Sequence, residues 1–452
     1  MAVQRIAACV VLAAACVTTY APAQRAASAP STPQVERSAI YEVFVRDFSP
    51  PGNFHGLADG LDRIQQVGAN VVWLMPIYPI GMMNRKGSLG SPYSVADYRA
   101  INPDFGNEAD FRTLVRAVHT RGMKLILDFV PNHTAFDHVW VAKFPSRYTH
   151  DSSGKISVAL DNDGKPTDWT DVADLNFNNA DTRQAVIADM RYWLEKFDID
   201  GFRVDVAGFV PDAFWREAVP QLRAIEPILL LAEWGDPKMH ELGFDLTYGW
   251  DSYSRLKAVW KGAPADSFVV NELTDMRSLP RQGRRLRFTT NHDETAWDQP
   301  PVTLFGGSAG ARAAFVAMAL LPGVPLIYDG QEVESPQRLG LFEKETVAWD
   351  QPDAVSSRSF YRRVIDLTRQ HPAFATNDVA PVPTDAPKDV IAYQRGNIIV
   401  LVNARSRALR VRATGRELNG MRDLLTGKQQ DGVSVSLPAF GAVVLEPASS
   451  RN

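Results

Sequence analysis

Lys124-Leu125-Ile126-Leu127-Asp128-Phe129-Val130-Pro131-Asn132-His133 is an apolar run that closes on a carboxylate and a histidine. Just before it, Glu108–Arg121 places apolar residues at helical spacing, and Gly122 supplies a C-terminal stop. A helix, a glycine and then a continuous apolar strand read as part of a βαβ unit, whose parallel strand is buried on both faces. Moving outward in both directions, the alternation recurs. Strands are predicted at Ile40–Val45, Val71–Met75, Lys124–Val130, Gly201–Val204, Ile228–Ala232, Phe244–Thr247, Leu286–Thr290 and Pro325–Tyr328, with helices at Leu57–Val67 and Thr182–Phe197 among the connections. Eight strands in alternation fit a closed (β/α)8 TIM barrel better than an open sheet. No GxGxxG follows any of them, so a dinucleotide fold has no support.

Two stretches leave this rhythm. Residues 132–179 are polar and turn-rich, with Asp151-Ser152-Ser153-Gly154 and Asp161-Asn162-Asp163-Gly164. A short domain inserted after the third strand would wall a cleft on the C-terminal face. After about Asp378 the helical pattern stops. Val390–Gln394, Ile398–Val402, Leu409–Ala413 and Val433–Leu437 read as short strands of a C-terminal all-β sandwich domain, 378–452. The barrel itself would then be 38–131 and 180–377.

At the N-terminus, Arg5 precedes the 12-residue apolar run Ile6 to Val17, and Ala21-Pro22-Ala23 resembles a cleavage site. Residues 1–23 are read as a signal peptide and 24–37 as a flexible leader, so export to the periplasm or medium is expected. Cys16 offers a second reading as an acylated lipoprotein cysteine, against which the residue three before it is not a larger aliphatic. The only two cysteines, Cys9 and Cys16, lie in that segment, which excludes thiolate metal sites and a Cys nucleophile from the rest. A net charge of −4 without a long basic run gives no footprint for nucleic acid. No segment is long enough to span a membrane.

The chemistry lies where strands end. Besides Asp128 and His133, the fourth strand runs Gly201-Phe202-Arg203-Val204-Asp205, the fifth ends Ala232-Glu233-Trp234, and the seventh ends Asn291-His292-Asp293-Glu294. One such acid is ordinarily a solvated loop residue or a helix cap. Acids on four strand ends converge on one barrel face, where burial disfavours them unless they are paired or used. Glycosidic bond cleavage needs a carboxylate that attacks and a neutral carboxylic acid that protonates the leaving oxygen. Asp205 suits the first role, because Arg203, two residues back on the same strand, faces the same way and would hold it ionised. Glu233, between Ala232 and Trp234, suits the second, since an apolar setting raises its pKa. Asp293 would add repulsion that keeps Glu233 protonated and would hold sugar hydroxyls. His133 and His292 are expected as hydroxyl donors. This chemistry requires no cofactor.

These residues resemble the α-amylase superfamily, glycoside hydrolase family 13. Asp128 to His133 looks like its first signature, Gly201 to Asp205 its second, Glu233 its third and Asn291-His292-Asp293 its fourth. Gly68 to Pro76, Pro92 to Tyr98 and Gly323 to Glu332 also fit. The resemblance implies a retaining α-glucan-active enzyme with Asp205 as nucleophile, Glu233 as acid/base and Asp293 as transition-state stabiliser. Tyr93 would stack on the sugar before the cleaved bond, with Asp128, His133, Arg203, Asn291 and His292 as substrate-binding residues. The substrate would be an α-linked oligo- or polysaccharide.

The chain departs from the pattern after the nucleophile, where many members carry Lys-His and this one has Gly208-Phe209. The insertion is short but keeps Asp174-Leu175-Asn176, similar to a fifth signature. Asn132 could ligate calcium, and Asp151 and Asp161–Asp163 offer oxygen ligands. Solvated turn chemistry and the missing Lys-His pair weigh against a family-type calcium. Val206 is of a type that accompanies tolerance of α-1,6 links in relatives; the alternative reading is a β-branched side chain that simply packs. A transglycosylase would use the same residues, and a silent sugar-binding barrel would be expected to lack one of the three acids.

Overall fold

The computed structural model describes residues 35–448. β1 (Ile40–Val43), β2 (Val71–Leu74), β3 (Lys124–Phe129), β4 (Gly201–Val204), β5 (Leu229–Ala232), β6 (Leu246–Tyr248), β7 (Arg284–Arg287) and β8 (Val324–Tyr328) form a closed barrel in chain order. All pair in parallel, and β8 returns to β1 through Ile40 opposite Leu326. Helices outside and side chains inside bury both faces, which is why the strands read as unbroken apolar runs. Gly201 opens β4 at φ +143°, and a Cβ there would lie 2.0 Å from the Leu229 carbonyl oxygen. Only glycine lets β4 and β5 approach at that point.

The helices Phe54–Gln66, Glu108–Thr120 and Ala180–Phe197 start on Asn53, Asn107 and Asn179, whose side chains each accept a backbone N–H of the first turn. The cap at Asn53 moves the first of these three residues upstream of its expected start. The seventh strand is displaced similarly, beginning at Arg284 rather than Leu286. Arginines argue against a buried strand, yet Arg287 pairs with Glu272 at 2.7 Å and Arg285 with Asp275 at 2.6 Å. Both acids come from the helix Ala265–Ser278.

The leader ends sooner than expected. Val35–Arg37 forms a 3-10 turn with Val35 buried, and the Arg37 guanidinium donates to the Arg369 carbonyl. The predicted signal segment, with Cys9 and Cys16, lies outside the described residues. Among those described, no helix is long and apolar enough to cross a membrane.

Within 132–179, His133–Ala135 pairs antiparallel with Val172–Asp174. The two acidic turns project from this ladder. Near the C-terminus, Ala380–Pro381, Val390–Arg395, Ile398–Asn403, Ala442–Glu446 and Arg422–Asp423 form one five-stranded antiparallel sheet, while Leu409–Val411 pairs with Val435–Leu437. Val390, Ile399 and Leu401 share a small core with Val411, Val435 and Leu437. Their alternates Ile391, Tyr393, Ile398, Val400 and Val402 join the main core on the other face. Residues of both parities are therefore apolar, as period-2 burial on two faces requires.

Candidate active site

The C-terminal mouth of the barrel opens into a cavity of about 240 Å³. Asp205 and Glu233 follow directly on β4 and β5, and their backbone N–H groups continue the ladder to Phe129 and Val204. Arg203 lies fully buried beneath them, with its guanidinium near the rings of Trp73, Tyr93 and Tyr248. One nitrogen, Nη1, donates to Asp128 at 2.9 Å and to Asp205 Oδ1 at 2.9 Å. The other, Nη2, lies 2.8 Å from Glu233 Oε1. The sequence argument gave Arg203 to Asp205 alone; a single guanidinium serves three acids.

Glu233 is pushed up to about 8. Burial is the main cause, Arg203 opposes it, and the charges of Asp205 and Asp293 add to the rise. Its Oε2 accepts the Val206 N–H at 2.7 Å. That N–H is aimed by an uncommon backbone: Val206 has φ +35°, an outlier for a β-branched residue. Strain of this kind persists where surrounding structure over-determines the conformation, and here it sits between Asp205 and Glu233.

Asp293 is not at a strand end. Asn291 caps the short helix His292–Trp297, its side-chain oxygen accepting the Glu294 N–H, and Asp293 stands in the first turn with about a third of its side chain exposed. His292 Nε2 lies 3.3 Å from Asp293 Oδ2 and 2.8 Å from the Tyr93 hydroxyl, and the Tyr93 and His292 rings stack at 5.4 Å. Burial pushes the His292 imidazole down, but Asp293 and Glu42 more than reverse this and hold it up to about 9. His133 is buried, which lowers its pKa, and its Nε2 lies 4.0 Å from Asp205 Oδ2.

Tyr93, His133, Asp205, Glu233, His292 and Asp293 all line the cavity. Asp128, Arg203 and Asn291 do not, and none carries exposed surface. Asp128 spends its oxygens on Arg203, the Trp73 indole and the Tyr93 hydroxyl, and Asn291 is a helix cap. Expected to touch a sugar, these three instead position the residues that line the cavity.

Asn132, the residue expected as a possible calcium ligand, is buried at the start of the insertion. Its side-chain nitrogen faces His133 Nδ1 and its carbonyl accepts the Leu175 N–H. Asp151 and Asp161 turn their carboxylates onto backbone N–H groups of their own turns. No group of three or more His, Cys, Asp or Glu among the described residues is arranged to hold a metal. The departure at Gly208 has a steric cause, since a Cβ there would meet the Trp234 ring at 2.1 Å. Phe209 in turn stacks on Trp169 of the insertion at 6.0 Å.

Several lining groups escaped sequence reasoning. Lys86 pairs with Asp171 at 3.0 Å on one wall, and Trp297 meets Phe342 on another. Lys86, Asp171 and Phe342 sit on loops without a periodic pattern, and Trp297 ends the short helix His292–Trp297. Glu42 was detectable: an acid at the centre of Ile40-Tyr41-Glu42-Val43 is out of place in a buried strand.

Comparison with known proteins sets the chain beside α-amylases. The family description "Alpha amylase, catalytic domain" matches residues 24–171 and 166–247. An α-amylase of Haloarcula japonica is 29% identical over 376 residues, 80% of this chain but 53% of that protein, so the chain spans about half the length of that curated relative. The crystal structure of an α-amylase from Lactobacillus plantarum superposes with a TM-score of 0.80 at 30% identity, covering 91% of this chain and 99% of that one. A maltogenic α-amylase from Thermotoga neapolitana gives 0.78 at 30% identity, with 91% and 96% covered.

Proposed function

The chain belongs to the α-amylase family, and on that premise we propose that it cleaves α-glucosidic bonds of malto-oligosaccharides or related α-glucans with retention. The observation that carries this reading is the single guanidinium of Arg203 against both Asp205 and Glu233. It orders the two acids side by side with opposite needs: Asp205 paired to a cation, Glu233 buried with its pKa raised.

Asp205, through the oxygen not bound by Arg203, attacks the anomeric carbon as Glu233 donates its proton to the departing glycosidic oxygen. The C–O bond to the leaving sugar breaks, and a glycosyl ester on Asp205 forms. Glu233, now ionised, takes a proton from water as the water oxygen attacks the same carbon and frees Asp205. Asp293 and the His292 imidazole hold hydroxyls of the distorted sugar, with Tyr93 against its face. A second sugar in place of water gives transglycosylation by the same steps. Calcium enters none of them. Export, carried by residues 1–23 alone, completes the proposal.

Incubation with maltotriose and with panose tests it. Release of smaller sugars, lost in Asp205→Asn with an unchanged melting temperature, is the expected result. No release from any α-1,4, α-1,6 or cyclic glucan would favour a binding protein instead.

A further inference from the structure

We propose that Glu42, on β1, is a positioning residue that fixes His292 as an imidazolium and through it orders Tyr93 and Asp293 for the sugar. The inference builds on the assignment of Asp293 and Tyr93 to the sugar-binding face made above.

Hydrogen-bond direction carries the argument. Glu42 Oε1 lies 2.5 Å from His292 Nδ1, both groups being buried. Burial raises the pKa of Glu42 while His292 and Arg203 oppose the rise, and in the proposed state the shared proton sits on Nδ1 with the carboxylate accepting. On the other side of the ring, Nε2 faces the Tyr93 hydroxyl at 2.8 Å and Asp293 Oδ2 at 3.3 Å. The Tyr93 hydroxyl lies 3.1 Å from Asp128 Oδ2, and in the proposed state it donates its one proton there and accepts from His292. Asp293 likewise accepts only. Both ring nitrogens are therefore donors, which is the imidazolium.

Glu42 is the buried counter-charge that makes this state tenable. Its second oxygen has no hydrogen-bond partner, so the carboxylate serves His292 alone. The other groups facing this pair are Arg203, which favours a neutral imidazole, Asp293, which favours the charged one, and Asp128 and Asp329, whose own pKa values burial raises; the Tyr248 and Tyr328 rings and the Trp73 indole complete the surroundings. Without Glu42, one ring proton is lost, the Tyr93 hydroxyl no longer has a fixed donor, and Asp293 loses its cationic neighbour.

The direct test is nitrogen-15 NMR of histidine side chains in the unaltered protein. His292, assigned by its loss in His292→Gln, is expected to show two protonated nitrogens through pH 8. A neutral ring at pH 7 would overturn the proposal whatever the protein's activity, which separates it from failure of the glycosidase reading. In Glu42→Gln the titration of His292 is expected to fall by at least about one pH unit. kcat on maltotriose should fall about tenfold or more, with a smaller change in KM. Glu42→Gln made in the His292→Gln background should add less than about twofold, because the two act as a unit. A full additive loss there would assign Glu42 a merely structural role and contradict the proposal.

Discussion

Glu233 has to be protonated in the free enzyme, and its pKa is raised to about 8. A carboxyl raised in the folded state keeps its proton below that value and loses it above. kcat/KM is therefore expected to hold through neutral pH and to decline with an apparent pKa near about 8, measured across pH 5–10. The sign for stability is the same: this group's contribution is complete below its ordinary value near 4.5 and disappears as pH rises through about 8. Glu233→Gln should reduce kcat by about 10²–10⁴-fold. At Val206, replacement by Gly relieves a strain of about 1–3 kcal/mol, less about 0.5–1 kcal/mol of chain entropy. Val206→Gly should thus raise the melting temperature while lowering kcat, because the N–H at Glu233 is no longer held in place. The pairing of Arg203 with Asp205 was legible from their spacing on one strand. The grip of the same guanidinium on Glu233 was not, because register between β4 and β5 sets it.

Strands with uniform apolar composition were legible in place and order, since burial on two faces leaves no other reading. β7 was legible only in part. Its arginines are satisfied by acids 10 and 15 residues earlier on a helix, a pairing that local pattern cannot display. That pairing has a measurable weight. Arg287 and Glu272 are fully buried, and Ser252 completes the contact. Truncating one partner leaves an unpaired buried charge, at a cost of about 3–5 kcal/mol. Glu272→Ala is expected to lose that much in urea unfolding, and a loss under about 1 kcal/mol would show the pair to be dispensable. Asp293 was identified by its motif but misplaced, because Asn291 caps a helix where a strand end was expected.

The C-terminal sheets form a small β domain with a core of its own, and their second face joins the barrel's core. Tyr393 donates to carbonyls of the helix Ser308–Ala319, and the Arg395 guanidinium donates to the carbonyls of Leu320, Phe374, Thr376 and Asp378. Arg395→Ala leaves these buried acceptors unmatched at about 1–3 kcal/mol each, less whatever water recovers, so the catalytic barrel itself should melt earlier. An all-β ending was visible in the strand pattern; its second apolar face, turned on the barrel, explains why both parities of Ile398–Asn403 are apolar. The barrel, through the register of β4 and β5, brings Asp205 and Glu233 to one guanidinium, and that pairing is the basis for assigning retention. Proton NMR of the first product from maltotriose, read before mutarotation, tests it most directly. The α-anomer should appear first and convert slowly to the equilibrium mixture; initial release of the β-anomer would contradict the assignment of Asp205 as nucleophile.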